Sequence, residues 1–461
     1  MSKHQEASAR LQAFIAPAFK ELSIAVTPAQ LEEIIDLVSG SMSGEGRFFH
    51  NPEHVIHVGS GGDALSTLAA FFHDLVYFQV DQGVSLNVAR HIAPFVNEKE
   101  SALSLRPETA FAQAPFALAV MSVFGFAPGQ TLPSSGQNEF LSALAAASVL
   151  SPFTNLSHIV QIAACIEATI PFRKKIGNKT AADRLLDRVK ATDKQWKLGF
   201  SQKEFSIILR RAVKMANQDV SNFGGESATR FLKNTWELVP EINPMLRSPA
   251  GYSVDGYREA LQKMERFFTN LDPQAVFQRF DAEPSEEEYA ALTGNAAARI
   301  EEARYYFRLK LISLGMLEAL SGTLGKNLGL PILMGELSNL GSFEDRVEKF
   351  LPVLDGKNTR GDEMEIRLLR LLEKNAEQEA EVGLKSSPLT AFLLRIAGLK
   401  PLLKMWPLTE EFFKDQGKAR DFLEAVPGEA VGLVSDAISV LLQRRAHRIS
   451  TFVGSLATPE T

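Results

Sequence analysis

The chain is patterned almost throughout with a helical period. From Pro28 to Ser41, Leu31, Ile34, Ile35 and Val38 recur at three- and four-residue steps behind Thr27, a residue suited to cap a helix N-terminus. The segments 139–151, 155–170, 204–220, 256–270, 286–322 and 364–375 carry similar apolar stripes. Strict alternation of apolar and polar positions is rare, and Val, Ile and Thr do not gather into strand-length runs. The pattern predicts an all-α protein. It breaks between Asn270 and Pro284, after which Ser285 and the acidic run Glu286, Glu287 and Glu288 read as the cap and first turn of a new helix. Two helical domains are therefore expected, residues 1–275 and 285–461. A second polar loop, Asp355 to Asp362, is expected to divide the C-terminal bundle, which shows no motif with an assignable chemistry.

Composition removes several classes. With 461 residues, 45% apolar and 23% charged, the chain is neither disordered nor of low complexity as a whole. The 49 basic against 55 acidic residues, a net charge of −6, leave no global footprint for nucleic acid or an anionic membrane. The single cysteine, Cys165, excludes a disulfide framework and a thiolate zinc cluster, and fits a reducing compartment. Met1 to Arg10 is polar and lacks a signal core, and the longest apolar stretch, Phe116 to Phe126, falls short of the roughly 20 residues of a membrane span. The expectation is a cytoplasmic protein. No GxxxxGK[ST] loop occurs, which disfavours a P-loop nucleotide enzyme.

Polar residues in apolar surroundings carry the chemistry. Of eight histidines, His50, His54, His57 and His73 crowd into one short stretch. Asn51, Pro52 and Glu53 form a cap, first-position proline and acidic first turn, so a helix should run from Pro52 to about Gly59. That helix carries His54 in its first turn, with His57 three residues on and His50 just outside the cap. Asp63 should cap a second helix, Ala64 to about Tyr77, apolar on nearly every side yet containing His73 and Asp74. An ionised Asp74 there would cost several kcal/mol without a cation or strong donors. A metal would relieve that cost; so would an arginine on Asp74, with His73 hydrogen-bonded in the core. On the segment Phe205 to Val220, Asp219 falls on the apolar stripe of Ile208, Ala212, Met215 and Ala216, unless the helix is rotated to expose it. Two buried aspartates and a histidine group share one economical countercharge, a divalent metal with mixed nitrogen and oxygen ligands.

At these residues the sequence resembles the HD superfamily of metal-dependent phosphohydrolases. Phe49-His50-Asn51-Pro52-Glu53-His54 is similar to the Tyr-His-Asn-x-x-His signature of cyclic nucleotide phosphodiesterases and of a group of predicted bacterial HD hydrolases. Ala70-Phe71-Phe72-His73-Asp74-Leu75-Val76-Tyr77 resembles that group's Ala-x-x-His-Asp-x-x-Tyr, and Ala216-Asn217-Gln218-Asp219 resembles the final metal-binding aspartate. The resemblance implies an HD-type helical bundle with His54, His73, Asp74 and Asp219 as ligands of one or two divalent ions (Mn, Fe, Zn, Ni or Mg). It implies catalytic roles for His50, as general acid, and for Asp74, which bridges two ions if the site is binuclear. The substrate would be a phosphomonoester or phosphodiester, nucleotides included. The aromatic and glutamine purine clamp of the cyclic nucleotide enzymes has no counterpart here.

Four further features are weaker. Glu167 and His158, on the helix from Asn155, are candidates for substrate binding, or else a satisfied glutamate and a core histidine. His57 reads as structural or as support for a ligand. Arg173-Lys174-Lys175 could hold a substrate phosphate or be a solvated basic turn. Gly59-Ser60-Gly61-Gly62 reads as a hinge. Two rivals to the hydrolase stay open: a non-catalytic HD module that binds nucleotide or metal and signals through the C-terminal helices, and a di-iron oxygenase. Those helices are also candidates for binding a protein partner or a second copy.

Overall fold

The computed structural model describes residues 3–44, 46–99, 102–247, 253–324, 347–354, 361–374, 387–427 and 429–456. Most of the expected loop at 355–362 thus lies outside the described residues. The protein is all-α. In chain order the helices are α1 (Lys3–Glu21), α2 (Pro28–Met42), α3 (Pro52–Gly59), α4 (Ala64–Phe72), α5 (Phe78–Asp81), α6 (Leu86–Ile92), α7 (Pro115–Phe124), α8 (Gln137–Leu150), α9 (Leu156–Ala168), α10 (Ala181–Trp196) and α11 (Gln202–Asp219). After them come α12 (Ala228–Ile242), α13 (Val254–Asn270), α14 (Glu286–Leu324), α15 (Glu363–Lys374), α16 (Pro388–Ala397), α17 (Leu399–Lys404), α18 (Trp406–Lys414), α19 (Ala419–Ala425) and α20 (Ala430–Leu456). Among the described residues the sheet content is one antiparallel pair, β1 (Val96–Lys99) and β2 (Ala102–Leu105), with Val96 opposite Leu105. No single helix among them is long and apolar enough to cross a membrane.

Contacts divide the chain into two compact units, Met1–Glu226 with Leu271–Ala297, and Ser227–Asn270 with Ala298–Thr461. The division is interleaved where the sequence suggested a linear one. The polar stretch before Pro284 is a return segment belonging to the first unit. The backbone of Gln278 exchanges two hydrogen bonds with the Asn217 side chain, at 2.8 and 2.9 Å, and its own side chain donates to the Ala168 carbonyl at 2.7 Å. Ser285 caps α14 as expected, through the Glu288 amide at 3.2 Å. That helix then runs on past Ala297, so the sequence shows no break where the units divide.

In the first unit, α9 is the axis. It packs against α4, α7, α8, α10 and α11, and from Ile159 to Ala168 only Gln161 is not buried. Its alanines let neighbouring backbones approach closely. Cys165 lies there, fully buried, and burial pushes its thiol up to about 12, so it is a packing residue. The helix α4 is buried at every position but Thr67; Phe71 and Phe72 alone are each worth about 1.5–3 kcal/mol of apolar burial. In the second unit, Phe231 and Trp236 of α12, Phe268 of α13 and Phe307 of α14 form an aromatic core, with Phe268 and Phe307 stacked at 5.9 Å.

Candidate metal centre

Three helix termini meet at the site, and local sequence explains each. The Asn51 side chain accepts the His54 amide at 3.0 Å while its own amide donates to the Phe48 carbonyl at 2.8 Å. One residue thereby fixes both the turn carrying His50 and the first turn of α3 carrying His54. At the other end of α3, a side chain on Gly59 would collide with Phe14 and meet the Ala70 Cβ at 3.0 Å. Gly59 is therefore a contact glycine that lets α3 lie close on α1 and α4; the left-handed turn residue of that loop is Gly61, at φ 74°.

The second helix is shorter than its pattern suggested. It stops at Phe72, and His73 and Asp74 occupy the turn beyond it rather than the helix interior. Polar side chains of α8 explain the stop. Ser142 accepts the Val76 amide at 2.9 Å and Asn138 accepts the Phe78 amide at 3.1 Å, taking donors that a continuing helix would need. On α11 the stripe holds: Ile208, Ala212, Met215 and Ala216 are buried and Asp219 is the last helical residue. A carboxylate at a helix C-terminus faces the negative end of the dipole, so Asp219 is misplaced twice, by burial and by the dipole.

These termini bring four side chains together. Nε2 of His54 lies 3.0 Å from Asp219 Oδ1 and 3.4 Å from Asp74 Oδ2. Nε2 of His73 lies 2.9 Å from Asp74 Oδ2 and 3.7 Å from Asp219 Oδ1. One ligand atom from each residue falls within 4.8 Å of all the others. The imidazoles are buried, at 5% and 1% side-chain exposure, while both carboxylates keep 18%.

The tautomer decides what this cluster can hold. His73 Nδ1 lies 2.8 Å from the Ala70 carbonyl, which can only accept, so Nδ1 carries the proton. In the neutral ring Nε2 is then a lone pair aimed at carboxylate oxygens. His54 Nε2, His73 Nε2 and Asp74 Oδ2 are all buried without a directed hydrogen bond. Lone pairs facing lone pairs require a cation between them, either protons on the rings or a metal. Without metal the group leans toward protons. Burial opposes it, but the Asp219 and Asp74 carboxylates raise His54 and hold His73 well above its ordinary value. Burial would raise the aspartates too, yet the imidazoles bring Asp219 down to about 2 and Asp74 well below the usual carboxylate range. A metal fits as well. Bonds of about 2.1 Å make cis ligands roughly 3.0 Å apart in an octahedron and about 3.4 Å apart in a tetrahedron, close to three of the four nitrogen–oxygen separations, 2.9, 3.0 and 3.4 Å. The group can therefore hold a metal ion.

His50 stands beside the cluster, its ring 5.5 Å from that of His54 and edge-on to Tyr77 at 4.7 Å. The other candidates have different partners. His57 is exposed and meets the Ser221 hydroxyl at 3.0 Å. His158 Nδ1 meets the Thr154 hydroxyl at 2.7 Å. Glu167 is buried between two guanidiniums, Arg173 at 2.5 Å and Arg188, which is the satisfied-glutamate arrangement; it also occupies Arg173 of the basic turn. Two residues absent from the sequence reading belong near the site. Arg47 bonds the Asp74 carbonyl and Asp81. Glu139 of α8 is pushed up to about 7 by burial, with Asp74 and Asp219 adding and Arg173 opposing. Arg47 had a signal, a charge beside the Phe48-Phe49-His50 run; Glu139 sat in a stripe read only for its apolar positions. Comparison with family models, with curated proteins and with solved structures gives no match.

Proposed function

We propose that this protein is a metal-dependent phosphohydrolase that cleaves a phosphomonoester or phosphodiester, nucleotides among them. The observation that carries the reading is the convergence of two imidazole nitrogens and two carboxylate oxygens, three of them (His54 Nε2, His73 Nε2 and Asp74 Oδ2) buried and without directed hydrogen bonds, in the motif order that resembles the HD hydrolases. His54, His73, Asp74 and Asp219 would hold the ion. The mixed donor set suits manganese, iron, zinc or nickel better than magnesium, which favours oxygen and water. A bound divalent ion supplies an acidified water and a polarised phosphoryl oxygen.

The chain's own residues do the rest. Asp74 and Asp219, more exposed than the imidazoles, mark the side from which substrate would reach the ion. His73 keeps its Nδ1 proton on the Ala70 carbonyl and so presents Nε2 as a neutral ligand. His50, outside the ligand set and packed edge-on to Tyr77, would give a proton to the leaving alkoxide.

The test is metal content per chain by mass spectrometry, with a screen of phosphate mono- and diesters, on wild type, Asp74→Ala and His50→Ala. Wild type is expected to carry one or two equivalents and to turn over an ester. Asp74→Ala should lose both, by more than the about 100-fold typical of residues that only orient a ligand. His50→Ala should keep its metal and slow by about 10²–10⁴-fold. A metal-free wild type that is fully active, or no metal even after reconstitution, would overturn the reading.

A further inference from the structure

Arg47 lies at the site but outside the ligand set, with its side chain at 0% exposure. Its Nε and Nη2 form a two-pronged fork on Asp81, at 2.9 and 2.7 Å, and Nη1 donates to the main-chain carbonyl of Asp74 at 3.0 Å. The guanidinium carbon is also 5.6 Å from the centre of the Tyr77 ring, the ring against which His50 packs edge-on. One side chain thus joins the segment that carries His50 to the segment that carries Asp74.

Its third contact has a specific chemical meaning. Past Phe72 the chain has left α4, and carbonyls beyond a helix end lack the amide partners that a helix would provide. Ser142 and Asn138 take the amides of Val76 and Phe78, whereas Arg47 takes the carbonyl of Asp74. Fixing that carbonyl restricts the backbone of Asp74, and with it the direction of the carboxylate that faces His54 and His73. The rigid guanidinium fork does this in a way a lysine cannot, because both prongs on Asp81 set the plane that aims Nη1. Asp81 has a second effect. An unpaired guanidinium beside a cation site would repel the metal, and the Asp81 carboxylate cancels that charge.

We propose that Arg47, held by Asp81, is a positioning residue for metal binding: it sets the backbone of Asp74 so that the ligand set is ordered before the ion arrives. This rests on the metal-centre reading above. The experiment is a manganese titration of the chelator-stripped full-length protein, in competition with a chromophoric chelator, on wild type, Arg47→Lys and Asp81→Asn. Thermal melts of the stripped proteins run beside it. Each variant is expected to bind manganese about 10–100-fold more weakly, the range for groups that orient ligands from behind. Arg47→Lys keeps the charge and loses the fork; Asp81→Asn keeps an acceptor for the fork and loses the charge, and it stands in if the lysine variant does not fold. A folded variant that melts lower but binds manganese like wild type would overturn the proposal and leave the metal site standing. A wild type that binds no manganese, zinc or iron would overturn both.

Discussion

Two buried acidic arrangements in the first unit look alike in sequence and differ in kind. Glu167, at 2% side-chain exposure, meets Arg173 and Arg188, and each of its carboxylate oxygens accepts a directed guanidinium hydrogen bond. Among the described residues, the ion-pair partners of Asp74 and Asp219 are imidazoles, one with its proton committed to a carbonyl. The second unit repeats the first arrangement: Glu265, at 3% exposure, is held by Arg308 at 2.7 Å and by the Thr269 hydroxyl at 2.8 Å. At Glu167 and Glu265 the buried carboxylate is met by a permanent cation. Where the protein provides rings that are cationic only when protonated, the cluster is open to an ion from outside. The two kinds differ in partner, and also in depth, since Asp74 and Asp219 keep 18% side-chain exposure.

The sharpest way to break that distinction is to remove Glu167. Glu167→Ala leaves two guanidiniums facing each other in a partly buried site. It is expected to destabilise by about 3–5 kcal/mol in urea denaturation, as other buried pairs do when one member is lost. Metal content of the folded fraction should not change. A Glu167→Ala protein of wild-type stability, or one that loses its metal, would place Glu167 with the cluster and dissolve the contrast.

Much of this was legible in the residues. Periodicity predicted the all-α class, and Asn51, Pro52, Asp63 and Ser285 placed helix starts that the structure shows. The stripe argument put Asp219 among Ala212, Met215 and Ala216, where it lies. What failed did so because the deciding partner was remote in sequence. The helix after Asp63 ends at Phe72 because Ser142 and Asn138, more than fifty residues on, take its next amides. For Glu167 the sequence left substrate binding and a satisfied glutamate both open, because Arg188 reaches it from another helix. The polar stretch before Pro284 resembled a linker because its hydrogen bonds to Asn217 and Ala168 cannot be seen locally. Local rules read caps and stripes; they do not read which side chain arrives from elsewhere.

Acidity sharpens the comparison further. In the metal-free protein the raised His54 and His73 stabilise the fold fully below about 6.5 and lose that contribution as pH rises through their folded values. Asp219, lowered from 3.8 to about 2, contributes above 3.8 and is lost as pH falls toward 2. The stripped cluster is therefore most stabilising between those limits. A metal must displace the ring protons, so its affinity should rise with pH, by up to tenfold per displaced proton per unit, or about 1.4 kcal/mol. Melting temperatures with and without manganese, taken from about pH 5.5 to 8.5, should diverge as pH increases. A gap independent of pH would mean that the imidazoles are not the groups the ion meets.

The smallest effect separates two histidines of one helix. His54 and His57 stand three residues apart on α3, close enough to share a face by sequence. In the structure His54 is buried in the cluster, while His57 is exposed, bonded to the Ser221 hydroxyl and near the Gln218 side chain at 3.3 Å. His57→Ala is expected to shift stability by no more than about 0.5 kcal/mol, as for most surface positions, with manganese affinity unchanged. His54→Ala should abolish that affinity. The pair tests the site at the resolution of a single helical turn, because both variants remove the same ring from the same short element. If His57→Ala also lost the metal, the ligand set would have to extend across the exposed face of α3, and the buried four-residue group would no longer suffice as its description.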